Sequence, residues 1–234
     1  MDLFTIGHSN YEIETFISLL KKHEINAIAD VRSHPYSRFT PHFNRNSLQE
    51  ILVKENIHYV FLGKELGARS DNLQCYIDGK AVYEKIAATT QFHEGIERLL
   101  KGLLKHRISL MCAEKDPITC HRAILVCQHI RHPALDINHI LKGGELESHI
   151  QLEERMLTKH GLTEFTEDRE KQLQLSLFEQ PKSILPTKEE SLKKAYQLQG
   201  YEIAYVNKNY SNNHERADKS IHNRVHAEKS SKVL

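Results

Sequence analysis

The chain of 234 residues has no long apolar run. Nowhere do apolar residues approach the roughly 18–20 in succession that a membrane-spanning helix needs, and the mean hydropathy is −0.54, which excludes a helical membrane protein. Cysteine is scarce: Cys75, Cys112, Cys120 and Cys127 are too few and too irregularly spaced to be a disulfide scaffold in a chain this long. A charge of one sign is missing too. Lys+Arg 32 against Asp+Glu 31 leaves a net charge of +1, which argues against a uniformly basic nucleic-acid coat while leaving room for a local patch. The opening MDLFTIGHSN has neither a basic n-region nor an apolar h-region, so the expectation is a cytoplasmic protein with reduced thiols and no membrane partner. There is no internal repeat and no long low-complexity tract. Histidine alone is in excess, at 16, but most are dispersed. Only His8, His121 and His139 fall at expected strand ends or helix starts, so a metal cluster does not follow from their number.

What is present alternates. Leu3–Ile6 is a short apolar run ended by Gly7. Ser9 with Glu12 suggests a capping box for a helix whose apolar face is Ile13, Phe16, Ile17 and Leu20. The run 26–31 then reads as a buried parallel strand. Leu48, Ile51 and Leu52 mark a short helix before the strand 58–62. Phe92, Ile96, Leu99, Leu100 and Leu103 form an amphipathic face before the strand 108–112. Ala123, Ile124, Val126, Cys127 and Ile130 form another before the run 135–140. Strands alternating with helices predict an α/β domain over residues 1–150, with a mostly parallel sheet and helices on both faces. From 151 to 206 the chain is rich in Glu, Lys and Gln, with an apolar knot at Leu173, Leu175, Leu177 and Phe178, a helical stretch around Leu192, Ala195 and Tyr196, and a strand-like run 201–206. This segment is expected to pack on the first domain as an extension. The polar, mildly basic tail 207–234 is expected to be disordered.

Ligands of open α/β sheets bind beyond the carboxyl ends of the strands. In this sequence those positions carry His8 and Ser9, then Arg32 and Ser33 with Arg38 nearby, then Glu65 and Arg69 between and after Gly63 and Gly67, then Cys112 and Glu114 leading to Cys120-His121-Arg122, and finally His139. Arg32, emerging from a buried strand, either pairs with Asp30 or Glu114 or offers its planar fork to a carboxylate or phosphate. Arg32, Arg38, Arg69 and Arg122 at one edge suggest an anion pocket. Thr119 would cap a helix starting near Cys120, placing Cys120 where helix N–H groups favour an anion and lower a thiol pKa. Cys120 then reads as a nucleophile beside His121 or Glu114, as a metal ligand with Cys112 and His121, or as a packing residue next to anion-binding His121 and Arg122. Cys127 reads as core. Glu65 and Glu114 are candidate acid/base groups, or they orient arginines. Tyr36, Phe39 and Phe43, near Arg38 and His42, either stack a base or close their loop onto the core. The Gly63/Gly67 pair matches no phosphate-loop fingerprint.

Thr5-Ile6-Gly7-His8-Ser9, Asp30-Val31-Arg32-Ser33 with Pro35 and Ser37-Arg38, Leu62-Gly63 with Glu65-Leu66-Gly67 and Arg69, and Cys112-Ala113-Glu114 with Pro117 and Cys120-His121-Arg122 together resemble the domain-of-unknown-function 488 family. His139-Ile140 and Gly143-Gly144 also resemble its pattern, whereas Ala68 stands where a small Gly is common. The resemblance spans roughly residues 2 to 150 and implies a Rossmann-like α/β fold; the stretch from Leu177 to Tyr205 resembles an extension of longer members. It implies no established reaction. The functional expectation is an enzyme-like site, of hydrolase or transferase type, for a phosphate-bearing ligand such as a nucleotide or nucleic acid. Ser9, Arg32, Ser33, Arg38, Arg69 and Arg122 would hold the ligand, and His8, Glu65, Glu114, Cys120 and His121 would carry the chemistry. The alternatives are a non-catalytic nucleotide or nucleic-acid binding module, or a metal- or thiol-based sensor on Cys112 and Cys120. No cofactor is expected except zinc under that last reading.

Overall fold

A computed structural model describes residues 1–166 and 185–207. Its frame is a six-stranded sheet. The strands are β1 (Asp2–Gly7), β2 (Ala27–Asp30), β3 (His58–Phe61), β6 (Ile108–Cys112), β7 (Asp136–Ile140) and β8 (Leu146–Ser148), in the spatial order β3-β2-β6-β1-β7-β8. All neighbours are parallel except the last pair, β7 and β8. A two-stranded hairpin of β4 (Tyr76–Ile77) and β5 (Lys80–Ala81) stands apart from it. Helices α1 (Ile13–Lys22) and α2 (Arg45–Lys54) precede β2 and β3, while α3 (Tyr83–Ala87) and α4 (Thr90–Leu103) lead to β6. A wide π-helical stretch, Arg122–Cys127, continues into α5 (Gln128–Ile130); α6 (His149–Lys159) and α7 (Lys188–Ile203) follow β8. Among the described residues no helix is long and apolar enough to cross a membrane.

The central strands are apolar on both faces because both are covered. Leu3, Ala29 and Leu110 belong to one core with residues of α3, α4, the π-helical stretch, α6 and α7. Phe4, Ile28 and Met111, each next to one of these along its strand, belong to a second core with α1 and α2. This period-two division between two cores is the signature of a parallel sheet sandwiched by helices.

Several local expectations are corrected. Ser9 does not cap α1. It sits at φ 47°, and the N-cap position is Glu12, without a side-chain cap bond. The capping boxes belong instead to Ser148 with Gln151 at α6 and Thr187 with Glu190 at α7. The run 201–206 is not a strand: Tyr201–Ile203 form the last turn of α7, and only Val206 makes an isolated bridge, to Lys80. The expected division at Ile150 falls inside α6. Helix α7 buries Leu192, Ala195 and Tyr196. The apolar knot 173–178 and the tail beyond 207 lie outside the described residues.

Candidate functional site

The ends of β1, β2 and β6 are in register, with Gly7 opposite Cys112 and Asp30 opposite Met111. Beyond Cys112 the chain crosses over the end of β1, where His8 N–H donates to Cys112 O (2.9 Å) and Ser9 N–H to Ala113 O (2.9 Å). This crossing requires Gly7, since a Cβ there would lie 1.8 Å from the Glu114 carbonyl oxygen. Gly63 has a similar role: a Cβ would meet the Arg32 carbonyl oxygen at 2.0 Å. The glycine-bounded loop is therefore built for backbone packing against the end of β2.

Cys112, Glu114, Cys120 and His121 bring one ligand atom each to within 4.8 Å of one another. Both sulfurs stand 3.0 Å from Glu114 Oε2, and Cys112 Sγ is 3.6 Å from His121 Nδ1. His121 Nε2 lies 2.9 Å from the Val31 carbonyl. A carbonyl can only accept, so Nε2 carries a proton and Nδ1 is the nitrogen presented to the thiols. Thr119 is not the cap. Asp116 accepts Ile118 N–H at the short 3-10 turn Pro117–Thr119. Cys120 then has extended backbone (φ −130°, ψ 136°), its carbonyl takes the N–H groups of Ala123 and Ile124, and its sulfur takes Arg122 N–H at 3.4 Å. Cys120 thus does the work of an N-cap with sulfur in place of oxygen.

Three of the four groups hold their protons more tightly than isolated ones would, and Cys120 holds its own less tightly. Burial pushes the Cys112 thiol well up, reinforced by Cys120 and Glu114. Burial also opposes ionisation of Cys120, but its hydrogen bond to Cys112 and the charges of Arg122 and His121 prevail and hold it well below the ordinary thiol range. Glu114 is raised by burial and by Cys120. His121 is raised despite its burial, because Cys120 and Glu114 stabilise its charged form.

Around this cluster lies a cavity of about 280 Å³ lined by Arg32, Ser33, Arg69, Tyr83, Tyr205 and others, with Cys112, Glu114 and His121 in its wall. The four arginines do not form one clamp. Arg32 gives two bonds to Asp30 (2.9 and 2.6 Å), one to Phe43 O (2.9 Å) and one toward His8 Nε2 (3.1 Å), which leaves one of its five N–H groups. Arg122 is fully buried and braces the crossing loop, donating to Glu114 O (2.6 Å), Lys115 O (3.2 Å) and Thr5 Oγ1 (3.2 Å). Arg69 lines the cavity and lies over the Tyr205 ring at 4.5 Å, its own N–H held by Ser33 Oγ at 3.0 Å. Arg38 is exposed and outside the cavity lining. Ser9 bonds Asn10 (3.3 Å). Glu65 turns to α4 and pairs with Arg98. His8 is neutral, its pKa lowered to about 4 by burial and by Arg32. Tyr83 and Tyr205 were not legible as wall residues, because nothing in the sequence shows that the start of α3 or the segment just after α7 meets this edge.

From Arg122 a buried chain of hydrogen bonds crosses the molecule. Arginine only donates, so Thr5 accepts from Arg122 and passes its own proton to His139 Nδ1 (2.8 Å). His139 Nε2 lies 3.0 Å from His149 Nδ1, and His149 Nε2 lies 2.8 Å from the Tyr196 hydroxyl, which donates to Glu153 Oε1 at 2.9 Å. Every donor points the same way, and both imidazoles are neutral. Burial first, then neighbouring charge, holds His139 well below its ordinary value; burial brings His149 to about 4.

No curated protein and no solved structure matches the chain. A family model described as "Domain of unknown function DUF488" matches residues 12–128, half of the chain. The match takes in the segments around Arg32, Arg69 and Cys112–Arg122, which meet at the cavity, but not Thr5–Ser9 or His139. On that match the chain belongs to the DUF488 family.

Proposed function

We propose that Cys112, Cys120, His121 and Glu114 bind one transition-metal ion, zinc by the chemistry of the donors, and that the protein acts through it as an enzyme on a phosphate-bearing ligand held in the adjoining cavity. The observation that carries this reading is the convergence of four donor atoms within 4.8 Å. Two sulfurs crowd one carboxylate oxygen at 3.0 Å, an arrangement of acceptor-rich groups that a cation satisfies as well as shared protons do. The bond from His121 Nε2 to the Val31 carbonyl is the kind of outer contact that orients a metal-binding imidazole. Two thiolates, one imidazole and one carboxylate suit zinc. Cys112, Cys120 and His121 are buried, whereas Glu114 reaches solvent although its carboxylate is partly covered. Glu114 is therefore the ligand able to give way to water or a substrate oxygen, leaving three protein ligands and an open position. Zinc in such a position supplies Lewis acidity toward a phosphoryl or carbonyl oxygen. Ser33, Arg69 and the remaining N–H of Arg32 are the groups available to an anion along the cavity wall.

Elemental analysis of the purified protein tests this directly. About one zinc per chain is expected, lost in Cys112→Ser and in Cys120→Ser, with a rise in Tm when zinc is returned to chelator-treated wild type. Protein that folds without metal and shows no Tm response to zinc overturns the reading. A second reading is favoured by the bond from Arg122 N–H to Cys120 Sγ: a thiolate at Cys120 that works without metal. It predicts metal-free protein whose Cys120 is alkylated well below the pH at which a free thiol reacts.

A further inference from the structure

Between Val31 and Gln49 there is no acidic residue, while Arg32, His34, Arg38, His42 and Arg45 all fall there. In a chain with a net charge of +1 this is a segregated basic stretch. Its middle is a loop with a hydrogen-bonded skeleton of its own. Ser37 Oγ accepts the N–H groups of Phe39 and Thr40 (3.2 Å each), Asn44 Oδ1 accepts Ser37 N–H (2.6 Å), and Pro35 O accepts Arg45 N–H (3.0 Å). His42 Nε2 ties the loop to Tyr11 O at 3.0 Å. The three aromatics divide. Phe43 is fully buried, packed on His8 (4.4 Å between ring centroids) and edge-on to Phe16 (5.1 Å), and anchors the loop. Tyr36 and Phe39 are 71% and 93% exposed. Arg38 lies between them in sequence, exposed and without a side-chain partner among the described residues.

We infer that this loop is a binding site for single-stranded nucleic acid, with unpaired bases stacking on Tyr36 and Phe39 and Arg38 meeting the phosphate backbone. Two exposed aromatic rings and an exposed cation within four residues of one braced loop match the stacking-plus-charge chemistry by which unpaired strands are bound. A duplex keeps its base faces stacked internally and offers these rings nothing comparable. A bilayer calls for an apolar face broader than two rings. His34, two residues before Tyr36, lines the cavity beside the Cys/Glu/His cluster, so a strand on the loop lies next to that cavity. The inference stands whether or not the cluster holds a metal.

Fluorescence anisotropy with labelled homopolymers of about 15 nucleotides, oligo-dT and oligo-rU, read across a salt series, tests it. Wild type is expected to bind both single strands better than a duplex of equal length. The Tyr36→Ala/Phe39→Ala double variant is expected to raise Kd at least about tenfold, with Tm unchanged because both rings face solvent. Arg38→Ala is expected to flatten the slope of log K against log salt by about 0.7. Cys112→Ser is expected to retain binding, which separates this site from the proposed metal centre. Failure of wild type to bind either oligomer, equal binding of the duplex, unchanged affinity in the double variant, or binding to phosphatidylserine vesicles in place of the oligomers each overturns the inference.

Discussion

At the scale of single residues, the side chains that hold the candidate site together are glycine and arginine. Gly7 lets the 113–114 segment cross β1 in contact with its backbone. Gly7→Ala must displace that segment and Glu114 with it, because the atom it would strike is a carbonyl held by Arg122. A loss of about 1–3 kcal/mol in urea denaturation is expected, by analogy with overpacked cores, together with weaker zinc uptake at the proposed centre; unchanged values for both would contradict the crossing geometry. Strand-end position pointed to this rim, and of the residues it singled out Arg32, Ser33, Arg69, Cys112, Glu114 and His121 line one cavity, whereas Arg38 and Glu65 do not. It could not tell which cations remain available. Arg32 and Arg122 are charged groups in a desolvated place, and such groups take internal partners; Asp30, an alternative the sequence left open, and the carbonyls of Phe43, Glu114 and Lys115, which spacing alone cannot identify, are among those partners. Glu65 was drawn away by Arg98 on α4, a contact 33 residues distant in sequence.

At the scale of elements, long periodic helices and buried strands were legible, and elements set by tertiary contact were not. Helices α1 and α4 and strands β1, β2, β6 and β7 stand within a residue or two of where periodicity puts them. The two-residue strands β4 and β5 carry too short a pattern to read. Tyr201–Ile203 alternate like a strand yet finish α7, because the helix buries Leu192, Ala195, Tyr196 and Gln199 along one side and simply runs on. That helix is bound to the site region by polar contacts: Gln199 Nε2 donates to Ile118 O at 2.9 Å, and Tyr196 joins His149 to Glu153. Tyr196→Phe removes the hydroxyl and leaves the buried His149 N–H without its acceptor, while Glu153 Oε1 keeps Arg131. A cost of about 1–3 kcal/mol is expected, read as a lowered urea midpoint with an unchanged m-value; a neutral result would show that the hydrogen-bond chain carries no weight.

For the whole molecule, the buried neutral histidines set the response to acid. His8 and His149 stand at about 4, against the ordinary 6.5, and His139 is lowered as well. Burial is the largest cause in all three. The folded form therefore refuses protons that the unfolded chain accepts between roughly pH 6.5 and 4. The share of stability these three histidines contribute is expected to be full above pH 6.5 and to fall as pH drops through that window, with up to about three protons taken up on unfolding, partly offset by His121 and Glu114, whose raised values favour the folded form as pH drops. Urea midpoints measured from pH 7 to pH 4 check this, and a flat profile would contradict it. The α/β class itself was readable because both faces of the sheet are covered and its strands are short apolar runs. The spatial order was not, since periodicity carries no information about which strands are neighbours. That order has a consequence for assembly. Residues 2–7 form an inner strand whose two partners begin at residues 108 and 136, so a growing chain must hold this apolar segment unpaired for more than a hundred residues of synthesis. Closure over such separations is slow, and the interval before it is when this protein is most exposed to aggregation.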